Sequence, residues 1–282
     1  MANSELIEVD TEFDSIISPR QGVNSIDLHE LWKYRELIFI LIWRDVKVRY
    51  KQTVLGATWA IFQPFISMVV FSVFFGTLIK VPSDGLPYPI FVFAGLVPWT
   101  FFANGLSGAS NSLLGQASLI SKIYFPRIII PLSSFGVFII DFCISLIVLL
   151  GMMLYYGISP SASMLLFPFL IMATVAVALG VGTFMSALSV AYRDVKYVVP
   201  FFIQLWMYAT PVVYPASIVP EKWRWVLALN PMAGIIEGYR SSLLGKPFDW
   251  QALTISLFVS LALLIVGLVY FKSVERKFAD II

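Results

Sequence analysis

Long uncharged stretches dominate this sequence, and their lengths predict membrane-spanning helices. A helix needs about 20 apolar residues to cross the hydrocarbon core of a bilayer. The uncharged runs, one of them interrupted only by Asp141, cover residues 52–79, 85–121, 128–192, 197–220 and 250–271. The longest must fold back once, at the Gly/Pro/Ser-rich turn of residues 156–161. The pattern predicts six spans, near 56–79, 90–114, 129–155, 164–190, 197–213 and 251–271.

Composition supports this interpretation and excludes several other classes of protein. Hydrophobic residues make up 59% of the 282 residues, charged residues 13%, and the mean hydropathy is +0.86. These values exclude a disordered chain and indicate a polytopic all-α membrane protein rather than a soluble enzyme. One cysteine excludes a disulfide scaffold, and a net charge of +2 gives no general attraction to nucleic acid.

The distribution of basic residues predicts how the chain is oriented. If the N-terminus is cytoplasmic, 14 of the 19 Lys and Arg residues fall on the cytoplasmic side of the six spans. Such a bias is typical of cytoplasmic segments. We therefore expect a multi-pass protein of the inner (plasma) membrane with both termini in the cytoplasm. Residues 1–26 are acidic and polar, without the apolar core of a signal peptide, and are expected to be a flexible cytoplasmic segment.

Two segments fit neither a span nor a simple loop. Residues 27–51 mix apolar and basic positions at helical spacing, which predicts an amphipathic helix at the membrane interface, ahead of a six-span domain over 52–282. Residues 214–250 contain a 12-residue apolar run, Trp225 to Ile236, that is too short to span and is broken at Asn230-Pro231. That loop predicts re-entrant helices between spans 5 and 6, with their backbone buried in protein.

Residues for catalysis, metal binding or nucleotide binding are scarce. The segment from Gly238 to Pro247 resembles a phosphate-binding loop only faintly, because its glycine spacing is wrong and Pro247 stands where Ser or Thr should hold Mg²⁺. We therefore expect no catalytic site, cofactor or metal in this chain. Asp141 at membrane depth is either an ion site, as in a secondary transporter, or a hydrogen-bonded packing residue near Thr183 or Ser186.

Four segments of the sequence resemble ABC-2 type permeases that export polysaccharides, especially O-antigen and teichoic acid. They are RDVKVRYKQTVLGATWA at 44–60, SKIYFPR at 121–127, YRDV at 192–195 with TPV at 210–212, and LNPM at 229–232 with IEGYR at 236–240. The resemblance implies the six-span ABC-2 fold. It also implies a homodimer that pairs with two copies of a separate ATPase, which binds the ATP and Mg²⁺. The expected cargo is a lipid-linked glycan.

The resemblance also implies roles for the unusual segments. By this resemblance the 115–127 loop is a coupling helix that docks on the ATPase; the alternative is a plain tight connection between spans. The key residues of the coupling helix are Lys122, Ile123, Tyr124, Phe125, Pro126 and Arg127. By this resemblance the 214–250 loop is an outer gate; the alternative is that its charged residues are simply solvated. The key residues of the gate are Asn230, Pro231, Glu237 and Arg240.

Two further sets of residues are candidates for substrate contact. The basic cluster Arg44, Lys47, Arg49 and Lys51 binds either the diphosphate of the lipid-linked glycan or the headgroups of membrane lipids. Aromatic rings can stack on the apolar faces of sugars along the first and fifth spans, or they form part of an ordinary lipid-facing belt. The channel candidates are Phe71, Phe74, Phe75, Phe201, Phe202, Trp206 and Tyr208.

Three other functions stay open at this point. The cargo of an ABC-2 exporter can be teichoic acid, capsule, a lipid or a drug. An ion-coupled secondary transporter requires several intramembrane charges and an inverted repeat, whereas one such charge and no clear repeat are visible. A membrane glycosyltransferase requires an acidic metal-binding cluster, and the loops offer only Asp84, Glu221, Glu237 and Asp249, widely separated in sequence.

Overall fold

A computed structural model describes residues 28–51, 58–159, 162–275 and 278, and every regular element among them is helical. The α-helices are α1 (Leu28–Lys33), α2 (Arg35–Lys51), α3 (Thr58–Phe71), α4 (Tyr88–Gly115), α5 (Ala117–Ile120), α6 (Ile129–Tyr155), α7 (Phe167–Ala191), α8 (Val195–Ala209), α9 (Glu221–Ala228), α10 (Pro231–Leu244) and α11 (Trp250–Val274). A π-helical segment, Ser72–Leu78, continues α3, and a 3₁₀ turn, Ala162–Leu166, precedes α7.

Five of the six predicted spans are present at the lengths expected. The helical segments Thr58–Leu78, Tyr88–Gly115, Ile129–Tyr155, Ala162–Ala191 and Trp250–Val274 are long and apolar enough to cross a membrane. The fifth predicted span is shorter than expected, because α8 ends at Ala209. Thr210 precedes Pro211 and is extended, the conformation that a following proline favours over helix.

The spans connect two distinct ends of the helical bundle. We call the end with α1, α2, residues 116–128 and residues 192–194 the basic end, and the end with residues 79–87 and 210–249 the hairpin end. At the basic end Arg44 donates a hydrogen bond to Gln116, and at the hairpin end Lys246 pairs with Asp84. Although α8 is short, it begins at the basic end and leads to the hairpin end.

The core of the bundle is centred on α4. This helix packs against α3, α6, α7, α8 and α10, and its residues from Ile90 to Trp99 are all buried. Glycine permits the closest helix contacts: a β-carbon on Gly105 would overlap the ring of Phe135, and one on Gly267 of α11 would overlap the carbonyl oxygen of Gly180 on α7. Small residues at such crossings are typical of membrane helices.

The hairpin of α9 and α10 breaks where the sequence predicted, at Asn230-Pro231. The Asn230 side chain caps α10 by accepting a hydrogen bond from the Met232 amide, and Pro231 fills the first helical position. Every residue of α10 except Glu237 is buried, whereas α9 is mostly exposed. The backbone of α10 is therefore enclosed by protein.

A contrasting face of the bundle is exposed. Only Pro64 and Met68 of α3 and Val195 and Val199 of α8 are buried, although both helices are apolar. Exposed large side chains along these helices include Phe62, Phe65, Val69, Tyr197, Phe201 and Leu205. This surface, which we call the α3/α8 face, has no covering helix in the described part of the chain.

Candidate functional site

The predicted coupling loop has an exposed tip and a buried base. Ile123 and Tyr124 are 57% and 75% exposed, and Lys122 beside them is exposed as well. Phe125 is only 4% exposed and packs in a second hydrophobic cluster, together with Leu41 of α2 and Phe271 of α11. The tip is therefore free to contact another molecule, whereas Phe125, predicted as part of that contact, anchors the loop to the bundle.

Arg127 fixes the other side of the loop. Its backbone amide donates to the Glu275 carboxylate at 3.0 Å, and its guanidinium donates to the Glu275 carbonyl. The guanidinium also lies over the ring of Phe278, 6.0 Å from its centroid. Pro126 between the two anchors is half-buried. The loop is thus bonded to the end of α11 and lies directly before the start of α6.

The sequence context suggested that Asp141 is isolated, but in the structure it has two partners. Its carboxylate forms an ion pair with Arg49 of α2 at 2.7 Å and accepts a hydrogen bond from the Tyr50 hydroxyl. Burial, reinforced by the bond to Asp141, raises the pKa of Tyr50 to about 12, so the phenol stays protonated and donating. Of the two expected neighbours, Thr183 donates instead within α7, to the Leu179 carbonyl, and the Ser186 hydroxyl has no hydrogen-bond partner among the described residues.

This pairing changes the interpretation of the basic cluster. Arg49 forms an ion pair with Asp141. Arg44 donates to Asp45 at 2.8 and 2.7 Å and to Gln116 at 3.1 Å. Lys47 and Lys51 are exposed, with the Lys47 ammonium over the ring of Trp43. The two arginines therefore attach α2 to the bundle, and the two lysines are the members of the cluster that face outward.

The aromatic channel candidates divide into exposed and packed residues. Phe74, Phe201, Phe202 and Tyr208 are exposed, whereas Phe71 and Phe75 are half-buried. Trp206 is held on three sides, because its indole N–H donates to the Asn230 side chain at 2.9 Å and its ring packs against Phe102 and Phe202. Its contacts connect α8 to the start of α10 and leave little of the ring open for stacking.

The predicted outer gate contains a fully buried charge. Arg240 has no exposed surface and donates to the carbonyl oxygens of Phe91, Pro211 and Val212 and to Glu237, at 3.3, 2.7, 2.5 and 3.0 Å. Its guanidinium also lies 3.7 Å from the centroid of the Phe91 ring.

Gly95 of α4 makes this arrangement possible. A β-carbon at Gly95 would lie 2.7 Å from a terminal nitrogen of Arg240 and 2.9 Å from the Val212 carbonyl. Arg240 therefore joins α10, α4 and the segment after α8, and Asn230 adds a second connection by donating to Thr210 at 2.8 Å. These residues form one rigid network and are not pairs of solvated charges.

A second charge pair closes the hairpin end. Lys246 bonds to Asp84 at 2.6 Å, and Ser217 donates to the same carboxylate at 2.8 Å. Burial alone would raise the pKa of Asp84, but the bonds from Lys246 and Ser217 outweigh it and hold that pKa below its usual value. Sequence reasoning missed this pair, because its members lie 162 positions apart and each looks like an ordinary loop charge.

The comparisons with known proteins agree with these features. The profile of the ABC-2 type transporter family matches residues 36–244. The chain is 29% and 30% identical over 248 residues to two O-antigen export system permease proteins RfbA of Klebsiella pneumoniae, covering 88% of this chain and 95% of each relative.

Two further relatives extend the comparison. An O-antigen export system permease protein RfbA of Myxococcus xanthus is 29% identical over 257 residues, 90% of this chain and 98% of that protein. A polysialic acid transport protein KpsM of Escherichia coli is 20% identical over 245 residues, 84% of this chain and 92% of that protein. Because the family profile spans most of the sequence, the chain belongs to the ABC-2 type transporter family.

Proposed function

We propose that this chain is the permease subunit of an ATP-driven ABC exporter that moves a lipid-linked, O-antigen-like polysaccharide across the inner membrane. The similarity to O-antigen export permeases over 88–90% of the chain carries this proposal. ATP and Mg²⁺ bind to a separate ATPase subunit, which performs the hydrolysis. The permease itself contributes no catalytic residue.

The basic end is the side on which the ATPase docks. Under the positive-inside rule this end is cytoplasmic, with both termini on the same side. The exposed tip of Lys122, Ile123 and Tyr124 supplies the contact, and the buried Phe125 and the bonded Arg127 pass its displacement to α6 and α11. A stiff connection is needed here, because a flexible loop would absorb the motion of the ATPase.

The α3/α8 face is the surface that a second copy of the chain completes. Two apolar helices with almost no buried residues, α3 and α8, each pack on α4, and Phe74, Phe201 and Tyr208 along them are exposed. Exposed apolar surface of this kind marks either lipid or a partner. We assign it to a homodimer whose two faces enclose the glycan path, with α8 as the sixth crossing and the exposed aromatic rings as sliding contacts for sugars.

The hairpin end closes this path on the outer side. Arg240 and Asn230 join the buried helix α10 to α4 and to the end of α8, so α10 moves with the path-lining helix rather than independently. At the basic end, Lys47 and Lys51 are placed to meet the diphosphate of the lipid-linked substrate. Arg44 and Arg49 support that site by fixing the position of α2.

Gene deletion combined with reconstitution tests the proposal. Deletion should remove the long-chain glycan from the cell surface and leave lipid-linked glycan inside, and the purified permease should stimulate the ATPase. Tyr124→Ala should abolish that stimulation without lowering the melting temperature, whereas Ser118→Ala, also exposed in this region, should preserve it. A deletion strain with intact surface glycan would contradict the function.

A capsule polymer is the second candidate cargo, favoured by the 20% identity to a polysialic acid transport protein. The same deletion strain separates the two possibilities by the chemistry of the polymer that it retains. Loss of a capsule with normal lipopolysaccharide would favour the second cargo.

A further inference from the structure

A cavity of about 420 Å³ lies at the hairpin end, away from the α3/α8 face, between α9, α10 and the first turn of α11. Its volume falls within the range of roughly 300–1,000 Å³ that is usual for small-molecule sites. Small apolar residues such as Ala228, Ala233 and Gly234 form much of its wall. The charged or aromatic residues of the wall are Asp84, Arg224, Glu237, Lys246, Phe248 and Asp249.

The charges around this cavity balance one another. Lys246 neutralises Asp84 at 2.6 Å, and the buried Arg240 neutralises Glu237 at 3.0 Å. Arg224 and Asp249 add one charge of each sign. A charged ligand would bring an uncompensated charge into a partly enclosed space, which is unfavourable. The cavity therefore suits a neutral molecule.

Several hydrogen-bonding atoms on the wall are unused within the described residues. Glu237 accepts bonds from Arg240 and from the Ala216 amide through one carboxylate oxygen, and its second oxygen has no partner there. Asp249 likewise uses one oxygen to accept from the Ala252 amide at 3.0 Å. Arg224 donates through Nε to the Val219 carbonyl at 3.3 Å, which leaves its terminal amino groups available.

The available atoms define the chemistry of a ligand. Two carboxylate oxygens accept, one guanidinium donates, and a hydroxyl group can do either. Phe248, fixed by stacking on Trp250 with a centroid distance of 4.9 Å, adds a flat apolar surface to the same wall. A neutral, polyhydroxylated molecule with an apolar face combines all of these properties.

We propose that this cavity binds a short segment of a neutral saccharide. Its role rests on the proposed function: the segment belongs to the glycan that has left the path, and binding it at the hairpin end hinders backward sliding. The binding itself depends only on the cavity.

Saturation-transfer NMR on the full permease–ATPase complex in nanodiscs tests the binding. The probes are methyl α-D-glucopyranoside, methyl α-D-mannopyranoside and methyl β-D-galactopyranoside, with glucuronate and protonated glucosamine as charged counterparts. At least one neutral glycoside should show saturation transfer. Both charged sugars should bind more weakly than it does.

Variants locate the site. Arg224→Gln and Asp249→Asn, which keeps the cap on α11, should each weaken binding about tenfold, the usual effect of losing a hydrogen bond to a charged group. Lys222→Gln, on the same exposed helix as Arg224 but outside the cavity wall, should leave binding unchanged. Melting temperatures of all three variants should match that of the original protein.

Three results would overturn the proposal: no neutral glycoside binds, a charged sugar binds better, or both variants bind normally. These failures are separable from failure of the proposed function. If the complex exports glycan but binds no glycoside, only the proposed binding site is contradicted. If the complex binds glycosides through Arg224 and Asp249 but deletion of the permease gene leaves the surface glycan intact, the binding site stands and the exporter function is contradicted.

Discussion

The second and first spans, α4 and the segment from Thr58 to Leu78, look alike in sequence but occupy opposite environments. In their most apolar windows 78% of α4 is buried within the chain, against 11% of the first span, although α4 is the less apolar of the two. Lipid is as apolar as a leucine side chain, so hydrophobicity does not draw one span inward in preference to another.

Close packing and polar contacts decide which span is central. Gly95, Gly105 and Gly108 let neighbouring side chains approach α4, and the carbonyl of Phe91 receives Arg240. The first span has fewer such contacts, a close approach of Tyr88 to Gly76 and a hydrogen bond from Ser145 to the Ala60 carbonyl, and most of its large side chains face outward. We conclude that the α4-centred core gives the monomer its stability, and we propose that the α3/α8 face serves assembly.

The largest effect should come from removing the buried charge that joins the core. Arg240→Met leaves three carbonyl oxygens and Glu237 without their donor, and breaking a buried pair in this way costs about 3–5 kcal/mol. Arg224→Met, on an exposed helix, should change stability by less than about 0.5 kcal/mol. Urea or thermal unfolding in detergent measures both. Equal stabilities of the Arg240→Met and Arg224→Met variants would show that Arg240 does not stabilise the core.

A pair of phenylalanine truncations compares the two regions directly. Phe102→Ala in α4 removes a side chain with no exposed surface and should cost about 3 kcal/mol of monomer stability. Phe65→Ala in α3, where the side chain is 44% exposed, should cost much less in the monomer but weaken dimerisation. Unfolding curves and sedimentation equilibrium separate the two effects. A Phe65→Ala variant with a destabilised monomer and normal dimerisation would argue against the comparison.

Glycine substitutions examine the role of close packing. Gly267→Ala forces a methyl group against the Gly180 backbone, which cannot move aside, and should destabilise the fold by about 1–3 kcal/mol. Gly151→Ala is the matched control, because no atom lies within 4 Å of a β-carbon there. It should be neutral or slightly stabilising, since alanine favours helix. If both variants melt at the same temperature, the α7–α11 contact is looser than described.

The smallest effect is a pH dependence at the hairpin end. Because the folded-state pKa of Asp84 is lowered, its pairing with Lys246 stabilises the protein fully above the ordinary carboxyl pKa of about 3.9. The contribution disappears as pH falls through the lower, folded-state value. Asp84→Asn should therefore cost about 0.5 kcal/mol at pH 7 and progressively less below about pH 4. A loss of stability in Asp84→Asn that increases toward low pH would contradict the stabilising pair of Asp84 and Lys246.

The sequence predicted the spans better than it predicted their contacts. The uncharged runs located five long helices, with the span at 129–155 reproduced to the residue, and Asn230-Pro231 marked the break before α10. The end of α8 was misplaced, because apolarity continues through Pro211 while the helix does not. Pro211 was the available signal, because the residue before a proline disfavours the helical conformation.

The contacts could not be deduced, because they join residues far apart in sequence. Asp141 meets Arg49 across 92 positions, and no local pattern on α6 specifies that partner. Arg240 and Phe125 likewise resemble solvated loop residues until the fold encloses them. Consequently, the sequence left Arg49 between a lipid-linked diphosphate and membrane headgroups and placed Phe125 in the contact with the ATPase, whereas the structure pairs Arg49 with Asp141 and buries Phe125 against the bundle.

Cysteine cross-linking between copies tests the central claim most directly, namely that the α3/α8 face is completed by a second copy. Single-cysteine variants Val69→Cys, Phe201→Cys and Phe258→Cys, each made after Cys143→Ser, replace side chains that are 43%, 63% and 70% exposed on α3, α8 and α11. Mild oxidation in native membranes should produce a disulfide-linked dimer from Val69→Cys or Phe201→Cys and none from Phe258→Cys. A dimer formed only by Phe258→Cys would contradict the claim.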